Sequence, residues 1–375
     1  MTGHLAAVDV GGTSVKAGLL TPDGDVLYER RWPTRAAGGP DAVVAVVLDA
    51  ARDIVAAGRA RLGGDPLALG VAALGRVAKV PSFARRAGRA ASGACSRRAG
   101  RKPSYWTYSG FRPVRRECVH GVARQAELSQ HALGPVDEER GVARRSAAAG
   151  RRDVPLLDLV RDAVPVPVAL GQDLRAGALA EARLGAGCGL PGFVFVALGT
   201  GVGGAVVLDG VPLPGSAGRA AEIGHLRVRA AGDARCGCGS HGCLETAASA
   251  TALTRGYAEL TGRRLPAAEI AGAVRQGDSA AIRVWHRAVD APAEALTDCA
   301  VLLDPAAFVL GGGLSLAGDL LLDPLRAALA RGFPLGDPPP VRAAALGDRA
   351  ALIGAGLPAR DRTAPTVTPA LAPAP

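Results

Sequence analysis

Aromatic side chains are scarce in this chain. Phe, Trp and Tyr make up 3% of 375 residues, and methionine occurs once. A core with few large rings must be filled by Ala, Val and Leu, and hydrophobic residues at 49% supply enough for two domains. No apolar stretch reaches the roughly 18 residues that a transmembrane helix needs, so no membrane partner is expected. The opening MTGHLAAVDVGG has no basic region followed by a long apolar run, so no secretory signal is expected there. A cytoplasmic protein is expected, and its seven cysteines, an odd number, are read as thiols and not as a disulfide framework. The Walker loop, GxxxxGK followed by Ser or Thr, is also missing, which excludes the P-loop class of nucleotide enzymes.

Positive charge is present but uneven. The net charge is +10, yet residues 76–134 hold 13 of the 44 Lys and Arg against two of the 34 acids, Glu117 and Glu127. Without that segment the chain is close to neutral. The segment keeps neither a helical nor a strand period, and it carries Tyr105, Trp106 and Tyr108 among its arginines. Basic residues interleaved with aromatics can bind single-stranded nucleic acid. The plainer reading is a disordered excursion, since long structureless loops are rare inside compact domains.

The densest chemistry lies between Glu222 and Glu245, EIGHLRVRAAGDARCGCGSHGCLE. His225, Cys236, Cys238 and Cys243 form a Cys3His set, the composition of a closed structural zinc site. Gly237, Gly239 and Gly242 are expected to let the backbone turn tightly enough to gather three sulfurs. Three free thiols in a Gly-rich loop are the bland alternative.

Two further stretches suggest phosphate turns. Strands LAAVDV and VKAGLL flank Gly11-Gly12-Thr13, where backbone N–H groups and a hydroxyl can approach a phosphate, with Asp9 placed to hold Mg2+ through water. Farther on, FVFVALGTGVGGAVVLDG contains Gly199, Gly201 and Gly204 in the dinucleotide spacing G-x-G-x-x-G. That fingerprint requires a helix next. The β-branched AVVLDGV that follows predicts a hairpin instead, leaving Gly199, Thr200 and Gly201 as a second phosphate turn. Gly311, Gly312 and Gly313 end a third apolar strand. Asp173 follows the strand VPVAL and begins the helix LRAGALAEARLG, a position that suits either a catalytic group or a plain N-cap.

EIGH followed by CGCGSHGCLE resembles the signature of the ROK family of bacterial sugar kinases and related repressors, and DVGGTSVKAGL resembles the first phosphate motif of the actin-like ATPases. The resemblance covers about 1–75 and 135–357. It implies an α/β fold of two actin-like (ribonuclease H-like) domains with an interdomain cleft and a small zinc loop. Residues 1–172 would form the N-terminal domain, interrupted by a basic insertion at about 76–134 that a frameshifted coding region would equally explain. Residues 173–345 would form the larger C-terminal domain with the zinc loop. Residues 346–357 would give a closing helix that packs on the N-terminal domain, and 358–375 a disordered tail.

The same resemblance implies transfer of the ATP γ-phosphoryl group to a hexose, glucose first, as a step of glycolysis. Asp173 would be the catalytic base. Gln172, Asp173, Glu222, His225 and Glu245 would bind the sugar. Asp9, Gly11, Gly12, Thr13, Lys16, Gly199, Thr200, Gly201 and the three glycines at 311–313 would bind ATP with Mg2+. Zn2+ would be structural, and the assembly a homodimer or homotetramer. Family repressors carry a helix-turn-helix domain before the first phosphate motif, whereas eight residues precede Asp9 here, so no nucleic-acid partner is expected. A sugar-binding regulator and a catalytically impaired relic are the alternatives. Three departures fall on the sugar side: Leu74 in place of Pro, SAAAGRR at 146–152 in place of a stretch with Asn and Trp, and the insertion, which enters at the same edge of the cleft; beside Asp173, Gly171-Gln172 also stands in place of Glu-Asn.

Overall fold

A computed structural model describes residues 3–35, 39–73, 127–128, 136–137, 141–143 and 154–363. The stretch 76–134, apart from its last described pair, lies outside these residues, as do Leu74, 146–152 and the chain after 363. Two mixed sheets belonging to one compact unit organise the described residues.

The first sheet begins with β1 (Leu5–Val10), β2 (Ser14–Leu20) and β3 (Val26–Pro33), an antiparallel meander set by turns at Gly11–Thr13 and at Asp23-Gly24. Helix α1 (Gly39–Leu62) crosses over to β4 (Leu69–Ala73), which pairs parallel to β1. Short strands β5 (Glu127–Leu128), β6 (Val136–Asp137) and β7 (Val142–Ala143) follow, then α2 (Leu156–Ala163) and β8 (Val168–Gln172). The sheet order is β3-β2-β1-β4-β8-β5. Glu127–Leu128 falls within the stretch expected to lack regular structure, yet it hydrogen-bonds along β8 at Val168 and Ala169. An exposed parallel edge accepts any two residues that can present their backbone, whatever their side-chain period.

Every residue of β1 is buried because both faces of the sheet are covered. Ala6, Val8 and Val10 pack with Val43, Val47, Ala50 and Ile54 of α1. Leu5 and Ala7 face the other way, toward Ala176, Leu352 and Ala355. That period of two is the pleat of a strand.

Helix α3 (Asp173–Leu184) leads into the second sheet, with β9 (Gly192–Leu198), β10 (Val202–Leu208) and β11 (Val211–Pro212). The hairpin β9–β10 is antiparallel, pairing Val202 with Leu198. The predicted hairpin therefore stands where a dinucleotide fold would need a helix. Beyond it come α4 (Glu245–Ala248), α5 (Ala250–Thr261), α6 (Ala267–Arg275), α7 (Ser279–Leu303), β12 (Phe308–Gly311), α8 (Asp319–Gly332) and β13 (Val341–Ala343). The sheet order is β11-β10-β9-β12-β13. Trp285, Tyr257 and Phe308 join many small residues in its largest core.

Helix α9 (Ala350–Thr363) packs against α3, β1 and β4. A Cβ at Gly354 would overlap the Ala176 carbonyl, and one at Gly70 the Ala355 carbonyl, so glycine lets this helix lie backbone to backbone on its neighbours. The tail expected from Pro358 is helical as far as Thr363. Pro358 lacks the N–H that would have reached back one turn, but the helix is already seated on the sheet and continues past it.

Candidate active site

The predicted residues converge at the C-terminal ends of β1, β8, β9 and β12, where open α/β sheets bind ligands. Asp9, near the end of β1, is 8% exposed. Burial pushes its carboxyl up to about 6, against the opposing pull of the Lys16 ammonium 3.9 Å away. Asp173 opens α3, its Oδ1 accepting the Leu174 N–H at 2.6 Å. Burial raises its pKa well above the ordinary carboxylate range, and the nearby charges of Asp9 and Glu222 add to the effect. Glu222 stands before a 3-10 turn, Ile223–His225, and burial lifts it to about 7, with Arg175 pulling the other way. Asp9, Asp173 and Glu222 thus share one electrostatic neighbourhood. Gln172 is buried at the end of β8.

The two candidate phosphate turns are closed by hydrogen bonds. In the first, Gly11 N–H donates to the Ser14 carbonyl at 2.9 Å, and Thr34 Oγ1 donates to the Gly11 carbonyl at 2.7 Å. In the second, Gly199 N–H donates to the Gly201 carbonyl at 2.9 Å, while Ala250 N–H and Thr251 Oγ1 hold the carbonyls of Gly199 and Thr200. The amides of Gly11 and Gly199, expected to face a phosphate, are therefore engaged within their own turns. The neighbouring Gly12-Thr13 and Thr200-Gly201 are the candidates that remain.

Gly312 has φ +82, and a Cβ there would lie 2.5 Å from the Leu198 carbonyl oxygen, so the third glycine cluster abuts the second phosphate turn. Lys16 lies opposite Asp9 in the β1–β2 register and also bonds the Asp348 carboxylate at 3.2 Å. Asp348 in turn accepts from Arg31 at 3.1 Å.

The Cys3His donors come together as the spacing implied. His225 Nδ1 lies 3.7 Å from Cys236 Sγ, and Cys238 Sγ 3.7 Å from Cys243 Sγ. All four ligand atoms fall within 4.8 Å of one another. Zn–S bonds of about 2.3 Å in a tetrahedron put sulfurs about 3.8 Å apart, so the donor set fits that ion. Burial and the neighbouring thiols push Cys243 up to about 12, and thiolates so placed need a cation beside them. Of the three glycines expected to make the turn, Gly239 and Gly242 have φ of +89 and +71. Gly237 has neither a positive φ nor a neighbour that a side chain would meet, so the backbone does not demand glycine there. Glu245 follows directly after Leu244, and its Oε2 accepts the Val202 N–H at 3.1 Å, tying the Cys3His loop to the turn at 199–201.

Two buried charged residues of α3 were not predicted. Arg175 is buried beside Asp173 and donates to the Gly218 carbonyl at 3.3 Å. Its sequence signal is a cation in the first turn of a helix, where the macrodipole disfavours one. Glu181 is fully buried one turn before the end of α3. It carries no local signal, because two of its three backbone partners lie far along the chain.

An actin-like pair of sheets, glycine turns at the strand ends and a Cys3His loop beside them define the class of ROK proteins. The ROK family model matches residues 118–362, and the chain belongs to that family. Among its relatives, the glucokinase of Streptomyces coelicolor is 29% identical over 380 residues, covering 96% of this chain and 98% of the relative. The glucokinase of Halalkalibacterium halodurans is 36% identical over 244 residues, 60% of this chain and 73% of the relative. A ROK family glucokinase from Streptomyces griseus, solved with glucose and AMPPNP, superposes with a TM-score of 0.71 at 28% identity, covering 96% of this chain and all of that one. No helix among the described residues is long and apolar enough to cross a membrane.

Proposed function

We propose that this protein is an ATP-dependent hexose kinase that converts glucose to glucose 6-phosphate. The observation that carries the reading is Asp173, set by β8 and α3 at the strand ends between Asp9 and Glu222, in a chain akin to glucokinases over nearly its full length. Buried among carboxylates, Asp173 has a raised proton affinity, which suits a general base that takes the proton of the attacking sugar hydroxyl. Glu222, His225 and Glu245 hold the other hydroxyls. His225 turns Nδ1 toward the thiols, and its other ring nitrogen is the one assigned to the sugar.

Phosphoryl transfer depends mainly on positioning. The turns at 11–13 and 199–201 and the glycines at 311–313 would align the ATP phosphates and adenosine, with Lys16 and Asp9 beside them. Magnesium would be held through Asp9, and when bound it neutralises charge on the phosphates. Zinc held by His225, Cys236, Cys238 and Cys243 would be structural, fixing the residues on either side of it. Exposed Val301, Leu302 and Leu303 at the end of α7 support a homodimer or homotetramer, which sedimentation would resolve.

The test is ADP release by the full-length chain with Mg-ATP and a panel of hexoses that includes N-acetylmannosamine. Glucose-dependent turnover is expected, and in Asp173→Asn it should fall by about 10²–10⁴-fold with the fold intact. A variant that keeps most of its turnover would remove Asp173 from the role of base.

A further inference from the structure

We infer that Arg175 is a positioning residue of the sugar side: it ties the loop 215–221 to the first turn of α3 and so sets where Glu222 stands relative to Asp173. This inference rests on the kinase reading above. Arg175 is 6% exposed, and its guanidinium reaches out of α3 to the Gly218 carbonyl at 3.3 Å, four residues before Glu222. A cation in this first turn sits against the helix macrodipole, and a buried one needs compensating charge. Asp173 on its own helix and Glu222 at the end of the loop supply that charge.

The loop also does not follow its path by local preference. Ala221, directly before Glu222, has φ +59, a region that a residue with a Cβ seldom enters. Such a conformation persists only when the surroundings hold it. Ile223 N–H donates to the Ala221 carbonyl at 2.7 Å and Ala220 N–H to the Pro214 carbonyl at 3.3 Å, both local to the loop, while Arg175 reaches the loop from α3. One side chain therefore links the helix that carries the base to the loop that delivers a sugar ligand. The phosphate turns are held by other groups: Thr34 for the first, Thr251 and the Ala250 amide for the second. Loosening Arg175 should therefore disturb the sugar side selectively.

The experiment compares wild type, Arg175→Met and Arg175→Lys as full-length chains. It reads steady-state ADP release against glucose and against Mg-ATP, and amide hydrogen exchange across 215–222. In Arg175→Met the glucose KM should rise about 10–100-fold, the loss of one charged hydrogen bond. The Mg-ATP KM should stay within about twofold, and exchange in 215–222 should quicken while zinc content holds. Arg175→Lys keeps the charge but not the fork. It should recover part of the KM and still exchange faster than wild type, and it carries the test if the Met variant does not fold. Equal shifts in both KM values, or unchanged exchange in 215–222, would overturn the inference. A wild type that turns over no sugar would defeat the kinase reading alone, because the exchange comparison still decides whether Arg175 holds the loop.

Discussion

Glu181 offers the sharpest test of how the fold is fastened. Its carboxylate is fully buried and accepts three backbone N–H groups. Ala186 donates to Oε2 at 2.8 Å, Ala345 to Oε2 at 3.1 Å, and Leu346 to Oε1 at 2.8 Å. The first closes the end of α3. The other two come from the turn between β13 and α9, so one side chain clasps the helix between the two sheets to the segment that leads into the closing helix. Hydrogen bonds to a charged group contribute about 1.5–3 kcal/mol each, offset by the desolvation of the carboxylate. Glu181→Ala leaves three buried donors without an acceptor, and we expect a loss of about 3–5 kcal/mol. Glu181→Gln keeps the volume but offers one acceptor oxygen and turns an NH2 toward donors, for a loss of about 2–4 kcal/mol. In a chain of this size about 1 kcal/mol moves Tm by roughly 1–2 °C. Thermal melts followed by circular dichroism should therefore fall by roughly 3–8 °C, more for Ala than for Gln. A Gln variant that melts within about 1 °C of wild type would show that the clasp is not what holds α3 to α9.

Other outcomes follow from the same geometry. The Asp9 carboxyl titrates at about 6 in the fold against 3.8 when unperturbed, so its contribution is fully present at low pH and is lost as pH rises through 6. Asp9→Asn should accordingly raise stability at pH 8 by roughly 2–3 kcal/mol, gain nothing near pH 4, and lose turnover. Melts at the two pH values read this, and an equal gain at both would refute it. Cys243→Ser should lower bound zinc from about one ion per chain to near none, read by metal analysis. It should also raise the glucose KM more than the Mg-ATP KM, because Glu222 and Glu245 flank the loop.

The parts of this protein that are local in sequence were legible. The meander, the β9–β10 hairpin and the helices from 246 to 303 each declare their period and their turns within a few residues. The Cys3His cluster was legible for a related reason: three thiols and an imidazole crowded among glycines have few other uses. The buried polar partners were not. Glu181 sits in a run of alanine and leucine that reads the same whether the residue faces water or a turn 165 positions away. Lys16 gives no hint of Asp348, and Arg175 none of the Gly218 carbonyl, since each pairing exists only after the chain has crossed between sheets. The amides of Gly11 and Gly199 show the opposite error. A glycine motif shows that a turn is tight, but not which N–H points outward and which closes the turn.

The seating of α9 has a consequence for how the chain is made. The inner face of the first sheet, Leu5, Ala7 and Ala72 among its residues, is covered by Leu352 and Ala355 from the far end of the sequence. At about 5–20 residues per second of synthesis, the earliest strands wait tens of seconds for their cover. Until then that sheet has one dressed side, packed by α1, and one bare apolar side. A ribosome-bound or prematurely stopped chain would thus present a sticky, half-finished sheet, which makes the nascent protein a natural client for chaperones.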